Sequence, residues 1–141
     1  MVTISLKRRR QAIATTFIYM ILIIVGIVSV FNRGINNLEH IYVLNIGIDI
    51  LGMFMGYVLF ICSLIDVQKT GSSNLYFFYL INITFLGLFS DMVAWLVDGI
   101  PSLRYINILD NTLYYLCSPL EVYFFWKYLK SIVKDHGERI K

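Results

Sequence analysis

Hydrophobic positions in this chain fall into long, nearly unbroken runs, not the alternating or one-sided patterns of soluble strands and helices. Apolar residues dominate positions 12–31, 41–65, 75–97 and 105–128. Each run approaches the about 20 residues that a helix needs to cross the hydrocarbon core of a bilayer. The intervening segments have turn compositions: Gly34 with Asn36 and Asn37, then Gly71 with Ser72 and Ser73, then Gly99 with Pro101. Connections this short force successive helices to lie antiparallel and side by side. The pattern predicts an all-α fold, an antiparallel four-helix transmembrane bundle. Its spans cover 11–31, 41–66, 75–97 and 105–129. A basic N-terminus covers 1–10, outer loops 32–40 and 98–104, an inner loop 67–74 and a cytoplasmic tail 130–141. The last helix is expected to run past the membrane, because no helix breaker occurs between Lys130 and Asp135.

Composition strengthens this picture. Of 141 residues, 58% are hydrophobic and only 15% charged, with a mean hydropathy of +0.71. The polar residues of a soluble domain this small could not cover so much apolar surface. The cluster Lys7, Arg8, Arg9, Arg10 before the first run has the outline of a signal peptide. The run is too long for one, however, and ends in Phe31-Asn32-Arg33-Gly34 with no small-residue cleavage site, so an uncleaved span is expected. With the N-terminus inside, the inner segments carry Lys7, Arg8, Arg9, Arg10, Lys69, Lys127, Lys130, Lys134, Arg139 and Lys141. The outer ones carry only Arg33 and Arg104. This asymmetry predicts both ends in the cytoplasm and a multi-pass protein of the cell membrane.

The net charge of +3 is too small to imply a nucleic-acid partner; the lipid bilayer is the expected partner. Cys62 and Cys117 fall inside apolar runs at different expected depths, as packing residues rather than a disulfide. There is no metal-ligand spacing, no phosphate-binding glycine loop and no nucleophile–base pair, so no cofactor, metal or catalytic residue is expected.

Ionisable residues inside the runs need a reason, since each costs about 2.5–3.5 kcal/mol on insertion scales. At about 1.5 Å per residue, Asp49, Asp91 and Asp110 lie roughly 12, 9 and 8 Å below the outer boundary, one from each of three spans. Asn45, Ser90, Asn107, Asn111, Thr112 and Tyr114 fall in or near the same band. Gly87, Asp91, Trp95 and Asp98 share one face of the third span. Asn107, Asp110, Asn111, Tyr114, Ser118 and Glu121 share one face of the fourth. The pattern predicts a polar pocket formed by Asp49, Asp91, Trp95, Asp98, Asp110, Asn111 and Tyr114, open to the outside and able to hold a proton, a cation or a small polar ligand. The same stripes also fit interhelical hydrogen bonding that only binds the helices together. Glu121, nearer the inner end, reads as reaching toward Lys127 or another basic residue. Gly52 and Gly56 provide a small-residue seam for helix packing, and Pro119 is expected to kink the fourth span.

The second half resembles a known family. Leu88-Phe89-Ser90-Asp91-Met92-Val93-Ala94-Trp95-Leu96-Val97-Asp98-Gly99, followed by Asn111-Thr112-Leu113-Tyr114-Tyr115 and Tyr123-Phe124-Phe125-Trp126-Lys127-Tyr128-Leu129, is similar to the N-terminal membrane input region of bacterial sensor histidine kinases and diguanylate cyclases of Gram-positive anaerobes. There an Asp-x-x-x-Trp-x-x-Asp-Gly helix end is followed by an Asn-x-x-Tyr-Tyr helix leading to the cytoplasm. The likeness spans roughly residues 75–134; it implies a kinase or cyclase domain downstream, whereas the sequence stops at Lys141, so a stand-alone input module, a truncated gene or a fragment is expected. It implies a non-catalytic sensor module that signals through the fourth span to a cytoplasmic kinase or cyclase partner or within a homo-oligomer. The acids on three spans leave open a different class, a subunit of a small proton- or cation-coupled transporter, or a membrane assembly subunit.

Overall fold

Two glycines close the turns that fold the apolar runs back on one another. Gly34 (φ 80°) and Gly99 (φ 73°) take the left-handed backbone conformation that side chains disfavour, and each stops a helix as a C-terminal glycine cap does. The computed structural model describes residues 6–66 and 72–139, with side chains over 13–63 and 75–134. Among the described residues are four α-helices: α1 Leu6–Arg33, α2 His40–Asp66, α3 Ser72–Val97 and α4 Arg104–Arg139. Single 3-10 turns, Ile35–Asn37 and Pro101–Leu103, complete two of the connections. Pro101 opens its turn, a position where the missing N–H has no helical partner to lose.

The helices extend beyond the spans that the sequence predicts. α1 begins at Leu6, so the basic cluster Lys7–Arg10 is helical. The inner loop expected over 67–74 is shorter, because α3 already begins at Ser72; residues 67–71 lie outside the described residues. α4 continues through the tail segment as far as Arg139, in line with the lack of a breaker between Lys130 and Asp135. α4 runs through Pro119 and Gly137 without interruption for 36 residues. That is about 54 Å, well beyond the about 30 Å of a hydrocarbon core.

Three segments are long and apolar enough to cross a membrane: Ile13–Arg33, His40–Ser63 and Leu75–Val97. Large apolar side chains such as Phe17, Leu44, Leu51, Leu109 and Val122 point outward from the described helices, a surface suited to lipid rather than water. α4 has the length of a span but not the apolarity, because Asn107, Asp110, Asn111, Pro119 and Glu121 interrupt its hydrophobic run.

The apolar core is built by α1, α2 and α3. Tyr19 stacks on Phe85 with ring centres 3.8 Å apart and planes within 6°, and lies 4.9 Å from Phe60. Its hydroxyl donates to Asn82 Oδ1, and the Asn82 amide donates to the Phe78 carbonyl, so the buried polar ends are satisfied. Gly52 and Gly56 are used within the chain: a Cβ at Gly52 would stand 2.9 Å from Leu88 Cδ1, and one at Gly56 3.9 Å from Phe85. Small residues there bring the backbones of α2 and α3 together, in antiparallel order.

α4 packs closely along α3, with no extensive contact to α1 or α2. The two come close where a Cβ on Gly87 would meet Cys117 Cβ at 3.3 Å. Tyr79–Phe124 (5.3 Å) and Phe77–Tyr128 (5.2 Å) continue the seam. The sequence pattern predicts a bundle around one shared core, whereas the core cluster found here takes no residue from α4. α4 instead makes a separate seam with α3, in which Cys117, Phe124 and Tyr128 pack beside the Glu121 carboxyl.

Candidate functional site

The polar residues of α3 and α4 form two levels. At the upper level, Asp98 follows the last turn of α3, where backbone carbonyls lack helical partners. Arg33, at the end of α1, donates from Nη2 to the Asp98 carbonyl at 3.0 Å. A cation there also meets the negative end of the helix dipole. The Asp98 carboxylate accepts from the Tyr42 hydroxyl on α2 at 2.7 Å and from Asn107 Nδ2 on α4 at 3.1 Å. One residue thus ties the ends of all four helices. Asn111 extends the network by donating to Asn107 Oδ1 (2.6 Å) and to the Asn107 carbonyl (2.8 Å).

The lower level is less satisfied. Asp49 on α2 is only 4% exposed, and its Oδ2 has no hydrogen-bond partner. Asp91 on α3 stands close enough for the two charges to interact. Tyr114 on α4 lies within the electrostatic reach of Asp49, Asp91 and Glu121. One turn from Asp91, the Trp95 ring packs 5.1 Å from the Tyr42 ring, and its buried Nε1 stands beside the Asp91 carboxyl without closing a well-formed hydrogen bond. Ser90 Oγ and Asp110 Oδ2 are also buried without partners. Each unsatisfied buried group costs about 1–3 kcal/mol, so several in one layer are a large concession for a small fold. Among the described residues no three His, Cys, Asp or Glu side chains converge closely enough to hold a metal ion.

The seven residues expected to form one pocket are distributed unevenly. Asp49, Asp91 and Tyr114, on three helices, stand within electrostatic range of one another, and Trp95 packs on Tyr42, whose hydroxyl bonds to Asp98. Asn111 turns along its own helix to Asn107 instead of toward Asp91. Asp110 faces inward, but its Oδ2 bonds to nothing. Glu121 does not reach for Lys127. Its Oε1 lies 3.4 Å from where a Gly87 Cβ would stand, with the Thr84 hydroxyl beside it. Lys127 instead sits over the rings of Tyr123 and Trp126, 5.5 and 5.4 Å from their centres. Residues six apart on a helix face different sides, which is why the two do not meet.

Tyr42, Arg33 and Thr84 have roles that reading the runs one at a time does not show. Tyr42 had a signal available: it stands seven residues, or two turns, before Asp49 and so shares its face. Arg33 had none, since its partner belongs to another helix.

Comparison of the chain with protein-family models, curated proteins and solved structures gives no match.

Proposed function

We propose that this chain crosses the bilayer four times with both ends in the cytoplasm, and that it is a non-catalytic signal input module. A proton, a cation or a small polar ligand at Asp49, Asp91 and Tyr114 shifts α4 against α3, and α4 passes the shift to a cytoplasmic kinase or cyclase. The observation that carries this reading is the buried, unpartnered Asp49 carboxyl beside Asp91 and Tyr114. Among the described residues, unsatisfied buried groups on α2, α3 and α4 support a link between this layer and the helix that would carry the output.

The fourth crossing is supported by packing. α4 follows α3 from the Asp98–Asn107 bond at one end to the Phe77–Tyr128 contact at the other, and a helix packed along a spanning helix shares its depth. Its exposed hydroxyls cap their own helix, Thr112 to the Ile108 carbonyl and Ser118 to that of Tyr114, as lipid-facing hydroxyls must.

The test is a spin-label distance between Leu75→Cys and Lys130→Cys, with Cys62 and Cys117 replaced, in the full chain in nanodiscs. Asp91→Asn is expected to shift the distance distribution. An unchanged distribution would remove the link between the layer and α4. A second reading has its own observation: Tyr114 lies near both the outer acids and Glu121, so acids line much of the α3–α4 seam. This favours a cation-coupled transporter subunit, for which proton or sodium flux in proteoliposomes is the deciding assay.

A further inference from the structure

Beyond Glu121, α4 carries a basic and aromatic face beside its seam with α3. Phe124 and Tyr128 turn to α3, onto Tyr79 and Phe77. Tyr123, Trp126, Lys127 and Lys130 follow i, i+3, i+4, i+7 and share the neighbouring face, where Tyr123 and Trp126 are exposed. The Lys127 ammonium lies over both rings, and that of Lys130 lies 5.2 Å from the Trp126 centre. Among the described residues neither lysine meets a carboxylate. A ring holds a cation without cancelling its charge, and each ammonium has three donors, so both can still meet an anion.

Their depth is set by packing. Phe77, which Tyr128 faces, is the third residue of the apolar segment Leu75–Val97, so the lysines stand where that segment leaves hydrocarbon. Arg33 at the close of α1 bonds to Asp98 just past the close of α3. α1 therefore starts at the same end as these lysines, with Lys7–Arg10 in its first turns. Tyr and Trp rings favour headgroup depth, and lysines there attract anionic lipids.

We infer that Tyr123, Trp126, Lys127 and Lys130 bind an anionic phospholipid, its phosphate on the two ammonium groups and its glycerol and upper acyl carbons along the two rings. A zwitterionic headgroup fits less well, because its own ammonium group repels the lysines. The site lies on the stretch of α4 that leaves the membrane, so the anionic lipid content of the bilayer sets how firmly that stretch is held at the surface. This goes beyond the signal-input reading and rests on it only for placing this end of α4 at the inner membrane surface.

The test is quenching of Trp126 fluorescence by brominated lipid, with the full chain in phosphatidylcholine nanodiscs. Dibrominated phosphatidylglycerol and dibrominated phosphatidylcholine are compared at one low mole fraction. The Trp126 signal is the difference between wild type and Trp126→Phe, which leaves Trp95 in place. Phosphatidylglycerol is expected to be preferred about fivefold or more, the factor that one lysine near an anionic surface supplies. Lys127→Gln combined with Lys130→Gln should abolish the preference and leave quenching by brominated phosphatidylcholine unchanged, whereas Lys127→Arg with Lys130→Arg should retain it. Equal quenching of wild type by the two lipids would overturn the inference and give this face to an acidic segment of a partner protein. A preference that survives the Lys→Gln pair and is lost in Lys7→Gln, Arg8→Gln, Arg9→Gln, Arg10→Gln would also overturn it, since the N-terminal cluster would then gather the lipid. Absence of quenching by either lipid would put Trp126 away from the bilayer and overturn the four-crossing reading together with the inference.

Discussion

Replacing Asp49 by leucine should make the protein more stable and leave it unresponsive. Asp49 is 4% exposed and its Oδ2 meets no donor, a condition that costs about 1–3 kcal/mol. Insertion scales charge an acid at the bilayer centre about 2.5–3.5 kcal/mol, and Asp49 is expected off-centre, so the lower range applies. Leucine keeps the branch at Cγ and exchanges two oxygens for two methyl groups. Its extra bulk in a packed site costs about 1 kcal/mol. The net expectation for Asp49→Leu is a stabilisation of about 1 kcal/mol. The assay is reversible unfolding from dodecyl maltoside into sodium dodecyl sulfate, followed by circular dichroism, with wild type and Asp49→Asn alongside. Asn keeps the shape and a polar head, so it separates the effect of charge from that of hydrophobicity. A destabilisation of more than about 1 kcal/mol for Asp49→Leu would show that the carboxyl holds helices together, as interhelical polar bonds do. The view that it is retained for a ligand at the expense of stability would then be wrong.

Further outcomes follow from other parts of the fold. Alkaline phosphatase fused at Asn36 or Pro101 is expected to be active and at Ser72 or Lys141 inactive, from the basic-residue asymmetry; activity at Ser72 would defeat the four-crossing arrangement. Gly87→Leu places bulk where a Cβ already meets Cys117 Cβ at 3.3 Å, so oxidative cross-linking of Phe77→Cys to Tyr128→Cys should fall sharply; retained cross-linking would mean the α3–α4 crossing is not set there. Tyr19→Phe keeps the stack on Phe85 and loses the bond to Asn82, for an expected cost of about 1 kcal/mol in the same unfolding assay; an unchanged midpoint would remove that bond from the account. Spin labels at successive positions from Tyr128 to Lys134 should show mobility with a period of about 3.6 residues, and uniform mobility would mean that α4 gives no rigid output.

Much of this protein is local in origin, and that part is legible in the amino-acid order. Runs of Ile, Leu, Val and Phe specify helices, and Gly34 and Gly99 mark where the backbone must leave them. The 3.6-residue repeat places Asp91, Trp95 and Asp98 on one face of α3. Periodicity says which residues share a face of one helix. It cannot say which helix that face will meet, because this depends on how closely two backbones approach. Only the tertiary structure decided that Gly87 admits Cys117 and the Glu121 carboxyl, that the core cluster takes nothing from α4, and that Asn111 turns to Asn107 rather than to Asp91. It also gave Asp98 its partners Tyr42 and Arg33, 56 and 65 residues away in sequence. The apolar runs create four helices with hydrocarbon to bury, but small residues and a few long-range polar bonds select one way of stacking them. That selection is what leaves Asp49 beside Asp91 and Tyr114 with an oxygen unsatisfied.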